Sequence, residues 1–86
     1  MEHNLKTWPL YFRAVLDGTK TFEIRNCTDR TFTVGDILVL QEWDPDDLQG
    51  DGYTGRILKR EVTYLVQGPP WLPHGLAVMS LAPSLG

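Results

Sequence analysis

The chain has 86 residues, of which 42% are hydrophobic and 22% are charged, and its formal net charge is −3. A chain of this length holds one hydrophobic core, so residues 1–86 are expected to form one domain. No apolar run reaches the roughly 18 residues of a membrane span, and no apolar signal core opens the sequence. The single cysteine, Cys27, excludes an internal disulfide and is typical of a reducing compartment. We therefore expect a cytoplasmic protein without a membrane partner.

The first two predicted elements are a strand and a short helix. The side chains of the segment "HNLKTW" alternate in character, which predicts a strand that leads into Pro9. Proline is well suited to the first helical position. Apolar residues then recur four apart, with the pairs Tyr11 and Val15, and Phe12 and Leu16. The following Gly18 is typical of the left-handed residue that ends a helix.

From residue 20 the apolar period changes to two, which predicts a strand over "KTFEIRN". Alternation places Phe22 and Ile24 on one face and Glu23 and Arg25 on the other, so that the two charged side chains can pair. Strict alternation would place Lys20 on the apolar face. It lies at the first residue of the strand, however, where side-chain direction is least fixed. Its side chain can therefore bend over the mouth of a barrel, beside the end of the helix.

The rest of the chain predicts three more strands separated by polar loops. The strand "ILVLQEW" begins as a continuous apolar run, which indicates cover on both sides, and "RILKREVTYLV" brings Val62, Tyr64 and Val66 into register. A final short strand is "LAVMSL", and the loops are "NCTDRTFTVGD", "DPDDLQGDGYTG" and "QGPPWLPHG". The predicted fold class is α+β, mainly β: a closed or nearly closed barrel of about five strands with one N-terminal helix.

The acidic residues are concentrated in one span. Positions 36–51 hold six of the eleven acids and no lysine or arginine, so the remainder carries eight basic and five acidic residues, a balance of +3. This asymmetry is compatible with one basic face and an anionic partner. The acidic loop itself is interpreted as a solvated loop, with docking onto a basic protein partner as the alternative.

The cluster of Lys20, Glu23 and Arg25 is the strongest candidate site, and its charges alone leave three interpretations. A surface salt bridge stabilises by about 0 to 1 kcal/mol and needs no function. A binding patch for an anionic polymer and the acid–base pair of an enzyme are the alternatives. No metal or cofactor is expected, because the two histidines stand apart, the acidic spacing does not fit a calcium loop, and no phosphate loop is present.

Aromatic and basic residues near the two long loops extend the candidate binding surface. Trp43, Tyr53 and Trp71 border these loops, where rings can stack on bases while arginines hold phosphates; the alternative is that they cap the ends of the barrel. The residues predicted to contact nucleic acid are Lys20, Glu23, Arg25, Arg30, Tyr53, Arg56 and Trp71.

Four segments resemble the ASCH domains of the PUA-like superfamily, nearest to their compact bacterial and phage branch. The most specific signal is the order G-x-K-x-x-E-x-R, then V-G-D, then E-W, within "HNLKTWPLYFRAVLDGTKTFEIR", "DRTFTVGDILVLQEWDP", "YTGR" and "GLAVMSL". The resemblance covers nearly the whole chain and implies a PUA-like β-barrel. It also implies that Lys20, Glu23 and Arg25 line a cleft between helix and barrel that binds RNA, in single-stranded form, or a nucleotide.

The resemblance leaves a second function open, because some small ASCH proteins hydrolyse the amide of acetylated cytidine and one is described as a ribonuclease. The amidohydrolases use a lysine, a threonine and a distant glutamate. Lys20 matches the lysine, but Glu23 occupies the position of the threonine, and residues 67–75 replace the segment with the distant glutamate. If the protein is an enzyme, Lys20 and Glu23 are its predicted catalytic residues; otherwise the motif favours binding.

Overall fold

The computed structural model describes residues 1–83 and has one helix and five strands. They are β1 (Glu2–Thr7), α1 (Pro9–Leu16), β2 (Phe22–Asn26), β3 (Ile37–Trp43), β4 (Tyr53–Gln67) and β5 (Leu76–Pro83). The mainly β, α+β fold class is confirmed. Within the described residues, no helix is both long and apolar enough to cross a membrane.

The five strands form one curled sheet with the order β1-β3-β4-β5-β2. Strand β1 runs parallel to β3, and the other neighbouring strands are antiparallel. The sheet is a half-barrel, because across residues 1–83 no backbone ladder joins the edge strands β1 and β2. A closed ladder, one of the two expected forms, is therefore not formed; the gap between β1 and β2, here called the seam, is spanned by side chains.

The core fills the concave side of the sheet, where α1 contacts β3. Strand β3 is buried at the consecutive residues Leu38, Val39 and Leu40, which confirms the prediction from its continuous apolar run. The cluster at the centre contains aromatic and aliphatic side chains from the helix, the strands and the loop before β3: Leu5, Phe12, Val15, Phe32, Leu38, Leu40, Val62, Ala77 and Met79.

The predicted apolar stripe of the helix is only partly correct. Pro9 is at the start of α1 and Gly18, with φ of 86°, follows its end, as expected. The buried side chains are Phe12 and Val15, whereas Tyr11 and Leu16 are each about half exposed. An eight-residue helix makes only about two turns, so a pair three residues apart is enough to cover its buried face.

The predicted alternation of β4 is wrong beyond Val62, because the pairing with β5 shifts register between Val62 and Tyr64. Val62 is buried, but the side chain of Tyr64 is 66% exposed. A bulge adds one residue to one strand and so reverses which side chains point inward after it.

A buried polar pair ties the start of β1 to the turn before β3. The ring nitrogen Nε2 of His3 lies 2.8 Å from Oδ2 of Asp36, and both residues are buried. Burial alone raises the pKa of the Asp36 carboxyl. Hydrogen bonds from His3, the Thr33 amide and the amino group of Met1 outweigh that effect and leave the pKa below its usual range.

This lowered pKa predicts an acid-sensitive contribution to stability. Because the folded-state pKa lies below the ordinary value of 3.8, the Asp36 carboxylate stabilises the fold above that pH, and the contribution is lost as the pH falls through the folded pKa. Asp36→Asn should lower the free energy of unfolding at neutral pH by about 1 to 3 kcal/mol. In urea titrations, the free energy of unfolding of this variant should also decline less than that of the parent between neutral and acidic pH. Asp46→Asn, at an exposed loop position, is the control, and identical pH slopes for Asp36→Asn and the parent would contradict the assignment.

Candidate functional site

The carboxylate of Glu23 is buried at the seam between two cations. The residue is 3% exposed, and its Oε1 and Oε2 atoms lie 2.6 Å from Lys20 Nζ and 2.9 Å from Arg25 Nε. A buried carboxylate is costly unless it is paired and hydrogen-bonded, and both oxygens here have a cationic donor. The predicted pairing of Glu23 with Arg25 is confirmed, and the interpretation as a surface salt bridge is wrong.

The alternation of β2 was predicted correctly, but the inward face is the charged one. Glu23 is in register with Met79 and Arg25 with Ala77, and both β5 residues are fully buried. Phe22 and Ile24 are consequently the outward residues, 43% and 52% exposed. The charged residues can face inward here because β2 is an edge strand beside the open seam. Glu23 is buried but paired, and the side chains of Lys20 and Arg25 remain partly exposed.

Arg25 joins the two edges of the sheet. In addition to its bond to Glu23, its Nη1 donates to the Lys6 carbonyl at 2.8 Å and its Nη2 donates to Thr7 Oγ1 at 3.0 Å. The planar fork of a guanidinium suits three acceptors in different directions. Arg25 thus holds the end of β1, where the chain turns into the helix, against β2.

Lys20 is fixed by the turn that follows the helix. Its amide donates to the Ala14 carbonyl, and its Nζ donates to the Phe22 carbonyl at 2.6 Å as well as to Glu23. The preceding turn is braced by Asp17, whose carboxyl accepts from the hydroxyl and the amide of Thr19. These bonds lower the pKa of Asp17. The predicted placement of Lys20 beside the end of the helix is confirmed.

A cleft of about 570 Å³, here called the first cleft, opens above this cluster. Its walls combine charged and aromatic side chains from the end of β1, the start of α1 and β2. The rings of Trp8 and Tyr11 stack with centroids 6.5 Å apart, and Lys20 Nζ lies 4.9 Å from the centroid of the Phe22 ring. The lining residues are Lys6, Thr7, Trp8, Tyr11, Lys20, Phe22, Glu23, Ile24 and Arg25.

A second cleft of about 590 Å³ shares Lys6 and Arg25 with the first. It is more polar, with the amide side chains of Asn4, Asn26 and Gln41, the cation Arg30 and the ring of Tyr53 among its lining residues. Lys6 lies between the rings of this region, with its Nζ 4.7 Å from the Trp43 centroid and 5.8 Å from that of Tyr53.

The structure thus brings together five of the seven predicted nucleic-acid contacts. Lys20, Glu23 and Arg25 line the first cleft, and Arg30 and Tyr53 line the second together with Arg25.

The other two predicted contacts line neither cleft. Arg56 lies over the ring of Phe12, at 5.1 Å, with its Nε 3.8 Å from the buried Glu42 carboxylate. Trp71 is 83% exposed on the loop before β5.

Sequence reasoning missed Lys6, Trp8, Tyr11 and Phe22 as site residues. The first three flank the junction of β1 with α1, a junction that Arg25 joins to β2 by two hydrogen bonds. The sequence signal that could have found two of them is the spacing of Trp8 and Tyr11, which lie three residues apart on either side of Pro9 at the helix start.

The acidic span does not line the first cleft. Glu42 is buried and accepts from Thr54 Oγ1 at 2.7 Å, whereas the Asp47 carboxylate accepts from the amides of Gln49, Gly50 and Gly52. The loop carboxylates therefore order their own backbone, as aspartates in turns commonly do.

Fold and site together define a small half-barrel domain with a charge-compensated seam. The chain belongs to a family described as "Domain of unknown function (DUF3850)", which matches residues 2–81. It is also 37% identical over 70 residues to a protein of Escherichia phage P2, described as an uncharacterised 12.9 kDa protein in the GpA 3′ region. The aligned part is 81% of this chain and 59% of that protein, so the chain spans well under the full length of this relative. Every residue that lines the two clefts falls within the family match.

The seam predicts a stability difference between two conservative substitutions. Arg25→Lys keeps the charge, but its three donors sit on one nitrogen and cannot replace contacts made by three separate guanidinium nitrogens. The bridge to Lys6 and Thr7 should therefore be lost, at a cost of about 1 to 3 kcal/mol in unfolding free energy. Hydrogen exchange at β1 and β2 amides should accelerate more than exchange in β3. Arg13→Lys, on the exposed side of the helix, is the matched control; equal stability of the two variants would show that the seam is not held by Arg25.

Proposed function

We propose that this domain binds RNA through the first cleft, as a cytoplasmic protein of PUA-like, ASCH type. The observation that carries the proposal is the coincidence, in one cleft, of the cations Lys6, Lys20 and Arg25 with three partly exposed rings. Proteins that bind single-stranded nucleic acid combine these two features, a positive groove for the backbone and aromatic faces for the bases.

The charge balance of the cleft supports an anionic ligand. The three cations and the one carboxylate, Glu23, leave a formal surplus of +2, although the whole chain has a net charge of −3. Both oxygens of Glu23 are already engaged by Lys20 and Arg25, so the carboxylate serves to hold these cations in place. Preorganised cations recognise phosphate at a lower cost in side-chain entropy than mobile ones.

The aromatic walls suit a base. Trp8 is 52% exposed, Tyr11 48% and Phe22 43%, and all three line the cleft. Rings left this exposed at a cleft contribute little to the core, whereas stacking of one base on such a ring contributes about 1 to 3 kcal/mol to binding. The resemblance to ASCH domains supports the same site, since its motif residues are Lys20, Glu23 and Arg25.

A hydrolase acting on a nucleoside or RNA is the second candidate function. The observation that favours it is the short contact between Lys20 Nζ and Glu23 Oε1, 2.6 Å, inside a cleft of ligand size. The aliphatic hydroxyl at the cleft, Thr7 Oγ1, already accepts from Arg25 and donates to the Leu5 carbonyl at 3.2 Å. Among the residues that line the cleft, the geometry therefore supplies a charged pair but no free aliphatic hydroxyl as nucleophile, and binding is the function it supports better.

Removal of one cation from the cleft should weaken RNA binding for all sequences. We expect Lys20→Ala to reduce the affinity for single-stranded RNA about tenfold, and to lower the slope of log K against log salt by roughly 0.7, as one phosphate contact would. Lys59→Ala, which removes the same charge at a residue outside both clefts, is the control. Fluorescence anisotropy with labelled oligonucleotides at several salt concentrations measures both quantities.

Trp8→Ala separates binding from folding, because Trp8 is half exposed and lies outside the buried cluster. It should weaken RNA binding about five- to tenfold with little change in melting temperature. Unaltered affinity in both Lys20→Ala and Trp8→Ala would contradict the proposed site. Incubation with acetylated cytidine and with short RNA, followed by chromatography, tests the second candidate; turnover that disappears in Glu23→Gln would establish the hydrolase instead.

A further inference from the structure

The two clefts meet at a common boundary formed by Lys6 and Arg25, which line both. Each cleft, at about 570 and 590 Å³, is by itself of the size that encloses a small ligand. The boundary residues are cations, whereas the distal parts of the clefts differ in chemistry. Cations therefore lie where the two clefts meet, with aromatic rings in the first cleft and the ring of Tyr53 in the second.

The boundary cations have donors to spare. Of the five N–H groups of Arg25, three are used by Glu23, Lys6 and Thr7, which leaves one on each terminal nitrogen without an acceptor among residues 1–83. Lys6 Nζ contacts the rings of Trp43 and Tyr53 and has no hydrogen-bond acceptor within the same residues. Both groups can therefore donate to a phosphate that crosses the boundary.

The second cleft has the groups that recognise a nucleotide by its edges. Asn4 is exposed there, with both a donor and an acceptor in its side chain, and Gln41 supplies another amide. Among residues 1–83, Arg30 has one ionic contact, to Asp29 at 3.9 Å, and its side chain remains 35% exposed. The ring of Tyr53, 41% exposed, offers a further stacking surface.

We propose that the two clefts form one continuous path for a single-stranded RNA segment of at least two nucleotides, with a phosphodiester held between Lys6 and Arg25. This inference rests on the proposed RNA binding of the first cleft and adds the second cleft and the length of the ligand. A base stacks among Trp8, Tyr11 and Phe22, and the next nucleotide lies in the second cleft beside Arg30.

The test compares ligand lengths and cleft-specific variants. Calorimetric binding of uridine and adenosine monophosphates is measured beside binding of oligouridylates and oligoadenylates of two to six nucleotides and of an RNA hairpin duplex. Affinity should rise about tenfold or more from the mononucleotide to the tetranucleotide and should be lower for the duplex stem. Arg30→Ala and Asn4→Ala should weaken tetranucleotide binding severalfold but leave mononucleotide binding within about twofold, whereas Trp8→Ala weakens both. Arg13→Ala, at an exposed helix position outside both clefts, is the charge-matched control for Arg30→Ala.

The outcomes separate this inference from the function on which it rests. Binding of mononucleotide and tetranucleotide with equal affinity, or an Arg30→Ala variant equal to Arg13→Ala on the tetranucleotide, overturns the continuous path but leaves RNA binding by the first cleft intact. Tighter binding of the duplex stem than of the single strand also overturns it. Absence of binding to every probe at low salt overturns both proposals.

Discussion

The buried carboxylate of Glu23 is the constraint on which the seam depends. Because the residue is 3% exposed, its two oxygens need cationic donors, and these come from opposite directions: Lys20 from the turn after the helix and Arg25 from the same strand. Arg25, once held in this orientation, reaches across the seam to Lys6 and Thr7. One charge-compensated group thereby fixes the helix end, β2 and the end of β1 relative to one another.

The open edge of the half-barrel explains why a cleft lies at this place. At Leu38 and Leu40, where strands pair through their backbones, the inward side chains are covered and apolar. At the seam, side-chain hydrogen bonds replace the backbone hydrogen bonds of a ladder. Charged groups can make them because the side chains of Lys20 and Arg25 remain partly exposed to solvent. The same open edge leaves Trp8 and Phe22 partly exposed in the first cleft. The missing ladder between β1 and β2 thus accounts both for the charged side chains that hold the seam and for a surface suited to an anionic, aromatic ligand.

Much of this was readable from the sequence, and the failures have physical causes. Local signals sufficed for Pro9 and Gly18 at the helix ends, for the strand pattern and for the pairing of Glu23 with Arg25. Alternation cannot tell which face of a strand is inward when the charged face is self-compensated, so it leaves the outward position of Phe22 and Ile24 undecided. The register shift near Val62 and the meeting of Lys6 and Trp8 with β2 depend on contacts between distant segments, which no local pattern encodes.

The three tryptophans allow the central claim, that the first cleft binds RNA, to be tested in one experiment. Each gives a separate indole N–H signal in a proton–nitrogen correlation spectrum, and only Trp8 lines the first cleft. Titration with a short single-stranded RNA should shift the Trp8 indole signal together with the Nε–H signal of Arg25, and should leave the signal of Trp71, which is 83% exposed, in place. A shift of Trp71 with Trp8 and Arg25 unmoved would contradict the account.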